Sequence, residues 1–149
     1  MKILEENNFE KARKAIREEK IRGIIFTTSD DELSRKILEK EKINILLIKQ
    51  RHRKDGQKQR NSGLDSVIVK LAKKSDVGIG ICIDEIINSF GNEKAEILGR
   101  IRQNIMLCAK EKVRMKFITE NDKNKRDARD LKSLGLVLGM TTWMSADSV

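Results

Sequence analysis

Two patterns in the chain could do chemistry. Asp84 and Glu85 stand side by side behind the apolar run V-G-I-G-I-C-I. A strand there delivers both carboxylates to one end of a sheet, where they could bind magnesium. A hydrolytic metal centre of a phosphoesterase needs more, because such sites combine several histidines with carboxylates. This chain has one histidine, His52, and the spacing shows no second carboxylate cluster. A stand-alone metal-dependent phosphoesterase is therefore the minor reading, and no catalytic or metal-ligating residue is assigned.

The second pattern is K-Q-R-H-R-K-D-G-Q-K-Q-R, Lys49 to Arg60, with six lysines and arginines and one aspartate. Such charges repel one another unless an anion arrives, which favours a nucleic-acid backbone over a solvated turn. Arg51, Arg53, Lys54, Lys58 and Arg60 are the expected contacts. Arginine suits bidentate phosphate contacts, and lysine supplies charge with less geometric demand. His52 faces RNA or solvent, and Gly56 lets the loop turn. Arg126 and Arg129 flank the start of a later helix, where the macrodipole favours anions, so they form a second expected phosphate site or else pair with Asp127 and Asp130. Arg100 and Arg102 lie off the apolar stripe of the longest helix and face RNA, solvent or a protein partner.

Composition agrees with a polyanion partner. The 149 residues carry a net charge of +9, the electrostatic footprint of many nucleic-acid binders. Tyrosine is absent and aromatics make up 3% of the chain, so backbone and shape outweigh base stacking. No apolar run reaches the roughly 18 residues of a membrane span, and the amino end lacks a signal-peptide core. A cytoplasmic location without membrane contact is expected. Cys82 and Cys108 fall on apolar faces and read as buried, inert thiols. Trp143 reads as a packing residue.

The elements that must position these residues alternate. Helices are expected from Asn8 to Lys20, from Ser29-Asp30-Asp31 to Lys40, from Ser62 to Lys74, from Asn92 to Lys112 and from Asp127 to Gly139, with a helical turn at Asp84 to Ser89. In the third, Ser62 is the expected cap and Leu64, Val67, Ile68 and Leu71 the buried stripe. Strands are expected at Ile21 to Thr28, Ile43 to Ile48, Val77 to Ile83, Arg114 to Thr119 and Thr141 to Ser145. The alternating glycines of V-G-I-G-I imply close packing against the backbone. Strand and helix alternation argues for parallel strands and right-handed crossovers in one domain, residues 1–149. Loops leaving the strands' carboxyl ends then share one face, and Lys49 to Arg60, Asp84 to Gly91 and Glu120 to Arg126 meet there.

R-N-S-G-L-D-S-V, the run V-G-I-G-I-C-I-D-E-I-I-N-S-F-G-N-E-K-A-E-I-L-G-R-I-R-Q-N-I-M-L-C-A-K-E-K-V and R-D-A-R-D-L-K-S-L-G-L-V-L-G-M occur in that order. Together they resemble the archaeal ribonuclease P protein component 3 family, counterpart of the eukaryotic thirty-kilodalton subunit, best over about Arg60 to Met140. Arg114 and Ala128 stand where the family often has proline. The resemblance implies an α/β fold with a parallel-strand, TIM-barrel-like sheet. With about five strands here, that barrel is expected to be incomplete and to lack the family's N-terminal βα units, which leaves Ile21 to Thr28 at an open edge. It also implies a subunit of the ribonucleoprotein that removes 5′ leaders from precursor tRNA. The expected partners are the ribonuclease P RNA and protein component 2, with precursor tRNA touched indirectly. No cofactor is expected on the protein, since the family leaves catalysis to the RNA and its magnesium. A scaffold that binds protein without RNA is the remaining alternative.

Overall fold

A computed structural model describes residues 1–149. Five strands, β1 (Lys2–Glu5), β2 (Ile24–Thr27), β3 (Ile45–Ile48), β4 (Gly78–Cys82) and β5 (Met115–Ile118), form one parallel sheet in the order β1-β2-β3-β4-β5. Helices α1 (Phe9–Glu18), α2 (Asp31–Lys40), α3 (Ser66–Lys74) and α5 (Gly91–Glu111) make the crossovers. The short α4 (Ile83–Ile87) precedes α5, and a single 3-10 turn (Asp122–Asn124), α6 (Ala128–Leu138) and α7 (Thr142–Asp147) follow β5. The sheet winds in one direction and does not close, the expected incomplete barrel.

Burial explains why β2, β3 and β4 read as unbroken apolar runs: every residue of each is buried, as a parallel strand covered on both faces requires. Phe26, Leu46, Ile79 and Met115 face the helices and join Ile37, Ile97, Ile105 and Cys108 in the main core. On the other face the sheet curls onto itself, and Ile25, Ile45, Leu47 and Cys82 form a smaller cluster flanked by Ile3 and Ile118. Gly80 lies under that cluster. A Cβ there would sit 3.1 Å from Ile45 and Leu47 side-chain carbons and 3.2 Å from Ile118, which is the close packing expected of the alternating glycines.

Four expectations change. Lys2–Glu5 is a strand that the sequence reading passes over, and it, not Ile24–Thr27, is the sheet edge. The segment expected as a last strand is helix α7; its end places the Ser148 carbonyl 2.9 Å from the Phe117 amide and covers part of the β5 edge. Asp65, not Ser62, caps α3 by accepting from the Ile68 amide at 2.9 Å. With the helix starting later, Val67 points to solvent and Val69 and Ala72 point inward. The caps at Asn8, Asp30 and Asp127 start their helices and the left-handed Gly139 ends α6 where side chain and backbone chemistry favour it.

Candidate functional site

The loops that follow β3, β4 and β5 converge at one end of the sheet, and Asp84 and Glu85 tie them together. Glu85 is buried and accepts from the Gln50 amide at 2.7 Å and the Arg51 amide at 3.0 Å. Asp84 accepts from the Glu120 amide at 2.7 Å, the Asn121 amide at 3.2 Å and Asn124 Nδ2 at 2.7 Å. Burial pushes the Asp84 carboxyl up, but the bonds from Asn124, Glu120 and Asn121 outweigh it and hold the group below the usual range. The two carboxylates with a sequence signal for magnesium thus spend their oxygens on loop amides. No group of three or more histidine, cysteine, aspartate or glutamate side chains is arranged to hold a metal ion.

The basic loop is folded rather than splayed, and acids from distant segments neutralise part of it. Lys49 Nζ lies 2.9 Å from Glu120 and 3.6 Å from Glu5. Burial pushes the pKa of its ammonium down, but Glu120 and then Glu5 outweigh that and hold it above its ordinary value. Arg51 donates to Glu93 at 2.9 Å and to the Asn88 carbonyl at 3.0 Å. Arg53 grips both oxygens of Asp31, at 3.0 and 3.1 Å, and the Lys49 carbonyl at 2.7 Å. Its side chain is 10% exposed, so this guanidinium is committed to the fold. Gly63, at φ 80°, sits where a Cβ would meet Arg53 and Ile48 at under 3.0 Å.

Arg100, expected off the apolar stripe of the longest helix, is also placed differently by the structure. It points inward, 3% exposed, and donates to Asp55 at 2.9 Å, the Gln50 carbonyl at 3.0 Å and the Arg53 carbonyl at 2.9 Å. Arg100 and the Asn61 amide together hold the Asp55 carboxyl below its usual range. Gln103 and Asn104 continue the seam by donating to the Arg60 and Ser62 carbonyls. A signal was present: Arg100 and Asn104 are in phase with Ile97 and Cys108 at helical spacing. A tightly bent loop exposes carbonyls that need donors, and a guanidinium supplies several.

Lys54 and Lys58 remain exposed without an ion pair, and Arg60 lies along α5 over Gly99. Arg126 donates to the Lys125 carbonyl at 3.1 Å, Arg129 is exposed, and neither forms an ion pair with Asp127 or Asp130. Asp127 itself caps α6 through the Arg129 amide. Arg102 is exposed, and Trp143 is 43% exposed at the start of α7. His52 adopts φ 65° and borders a polar cleft of about 560 Å³ at this end of the sheet. The buried Thr27 hydroxyl, which has no hydrogen-bond partner, and the Cys82 thiol also line it. Burial pushes the thiols of Cys82 and Cys108 up to about 12, so both stay protonated at neutral pH.

No family model matches the chain. Over 112 residues it is 28% identical to ribonuclease P protein component 3 of Methanococcus vannielii, covering 74% of this chain and 46% of that protein. The chain is similar to ribonuclease P protein component 3. It spans just under half the length of that relative. In three dimensions it superposes on a chain of the cryo-EM structure of archaeal ribonuclease P with mature tRNA, at a TM-score of 0.81 and 22% identity, over 97% of this chain and 62% of that one. That superposition shows the α/β fold that the two chains share. No helix is long and apolar enough to cross a membrane.

Proposed function

We propose that this chain is a protein subunit of a ribonuclease P ribonucleoprotein, which removes 5′ leaders from precursor tRNA. The similarity to component 3 carries the reading. On it the chain works in the cytoplasm as one domain, supports the catalytic RNA, docks with protein component 2 and meets precursor tRNA only indirectly. The chemistry belongs to the RNA and its magnesium, with no cofactor on the protein. The use of Asp84 and Glu85 as loop ties supports this over a metal-dependent phosphoesterase. Lys54, Lys58, Arg60, Arg126 and Arg129 are the RNA contacts of the strand-end face. Arg51 and Arg53 act there through the loop conformation that they fix.

Reconstitution tests the reading. Cleavage of precursor tRNA by the ribonuclease P RNA with its other proteins is expected to rise when this chain is added, while the RNA-free chain is inert. Equal cleavage with and without it, or magnesium-dependent cleavage by the protein alone, defeats the proposal. Within it, Lys54, Lys58 and Arg60 changed together to alanine remove three charges with no ion-pair role. The slope of log affinity against log salt is expected to flatten by roughly 2 to 3, at about 0.7 to 0.9 per phosphate contact. An unchanged slope makes the loop a solvated turn.

A further inference from the structure

The strand-end loops hold much of their positive charge in internal pairs, yet the chain as a whole is strongly basic. Glu5 and Glu120 face Lys49, Glu93 faces Arg51, and Asp31 faces Arg53. Besides Lys54, Lys58 and the arginines left free there, unpaired charge also collects at the other end of the sheet, where helices stop and strands begin. Helix α3 ends at Lys74 just before β4, and α5 ends at Glu111 just before β5. Lys70, Lys73 and Lys74 share one face of α3 by their spacing of three and four. Lys110 and Lys112 close α5. The two helix ends touch, because Lys73 Nζ donates to the Lys112 carbonyl at 3.1 Å.

We propose that Lys70, Lys73, Lys74, Lys110 and Lys112 form a second surface for an RNA backbone, on the opposite end of the sheet from the basic loop. All five are exposed and none has a carboxylate within ion-pair distance. The acids at hand do not offset them: Asp76 is engaged by Arg114 at 3.2 Å, and Glu111, half-buried, is a single charge among them. Cations are favoured at a helix carboxyl end by the macrodipole, and Lys73 meets that need by bonding the Lys112 carbonyl. The other four exceed it. Lys112 also holds φ 56° at the helix end, a left-handed conformation that glycine takes without strain. What lysine adds there is the charge.

The chemistry of the ridge fits a phosphate backbone read without sequence. Ammonium groups are point charges with little geometric demand; the five cations of the ridge are all lysines, and the neighbouring Arg114 is occupied by Asp76. A duplex presents phosphates at a density that several lysines on one face can match. This inference rests on the reading that the chain works on RNA. It adds a second contact region, so that one molecule touches two RNA segments.

The test is a salt titration of binding to a short fluorescent RNA duplex, read by anisotropy. The five lysines changed to glutamine are expected to weaken binding at least tenfold and to flatten the salt slope by about 3.5 to 4.5, at 0.7 to 0.9 per contact. Changing only Lys70, Lys73 and Lys74 is expected to flatten it by about 2 to 3 and guards against misfolding of the larger variant. The five changed to arginine keep the wild-type slope. If the wild-type chain binds the duplex and the glutamine variants match it in affinity and slope, the ridge is not an RNA surface, while the functional reading stands. Loss of slope in the arginine variant also overturns the proposal, because charge is then not what matters. If the wild-type chain binds no RNA, both readings fall together.

Discussion

A guanidinium buried against backbone carbonyls shows what a single residue can do for a loop. Arg100 reaches the Gln50 and Arg53 carbonyls and Asp55 from the inward face of α5. Without it two carbonyls lose a charged donor in a partly buried site, at a cost of about 1.5 to 3 kcal/mol for hydrogen bonds to a charged group. Arg100→Met keeps length and apolar volume and removes the donors. It is expected to lower the unfolding free energy by about 2 to 3 kcal/mol and to speed amide exchange selectively across residues 50–61. Urea unfolding and exchange mass spectrometry check this, and unchanged loop exchange means the loop is held by other bonds. At this scale the sequence was least informative. Arg53 finds Asp31 across 22 positions, Arg51 finds Glu93 across 42 and Arg100 finds Asp55 across 45. No local pattern encodes such pairs, so a run of cations read alone looked like free charge.

Elements were more legible, because burial imprints a period on them. Strands β2 to β5 and helices α1, α2, α3, α5 and α6 follow from β-branched runs and from apolar residues three and four apart. The failures have physical reasons. Strand β1 is four residues long with only Ile3 and Leu4 apolar, too short to show alternation. Thr141 to Ser145 is β-branched at its start, yet it packs as a helix on α6 because Met144 must reach the core. The basic loop was placed at the correct end of the sheet, since parallel topology fixes where a β3 loop emerges. In β4 the glycines set the approach of neighbouring side chains. Gly80→Val puts a branched side chain where even a Cβ is already tight, and overpacking of this kind typically costs about 1 to 3 kcal/mol. Thermal or denaturant unfolding is expected to show that loss, whereas Gly78→Ala, whose Cβ meets its nearest atom at 3.5 Å, is expected to cost less.

On the scale of the molecule, the sheet has two unlike edges. The Phe117 amide of β5 is met by the Ser148 carbonyl. On β1, the Lys2 and Glu6 amides turn toward β2 by donating to Gly23 and Thr27 carbonyls, so by alternation Ile3 and Glu5 amides face outward. Amide exchange of the isolated protein is expected to be fast at Ile3 and Glu5 and slowest in β3, the central strand, two places from either edge. Protection at Ile3 and Glu5 that appears only at high protein concentration would show that a second copy covers the edge. Charge is also arranged differently at the two ends: at the loop end acids pair with Lys49, Arg51 and Arg53 and leave others free, whereas the five lysines at the α3 and α5 carboxyl ends have no ion pair.

The order β1-β2-β3-β4-β5 also shapes how the chain acquires its structure. Every strand lies beside its neighbour in sequence, so each βα unit can dock on the one before it as soon as it is complete. Contacts of short sequence separation carry a small loop-closure cost and favour fast folding, including during synthesis from the amino end. The Lys49 bridge is different. It joins Glu5, at the end of the first strand, to Glu120, just past the last, and can be completed only when both edge strands are in place. Native contacts that form after the barrier slow unfolding and leave the folding rate alone. A late-forming tie across the curl therefore acts as a light latch on the finished sheet, adding to how long it lasts and not to how quickly it assembles.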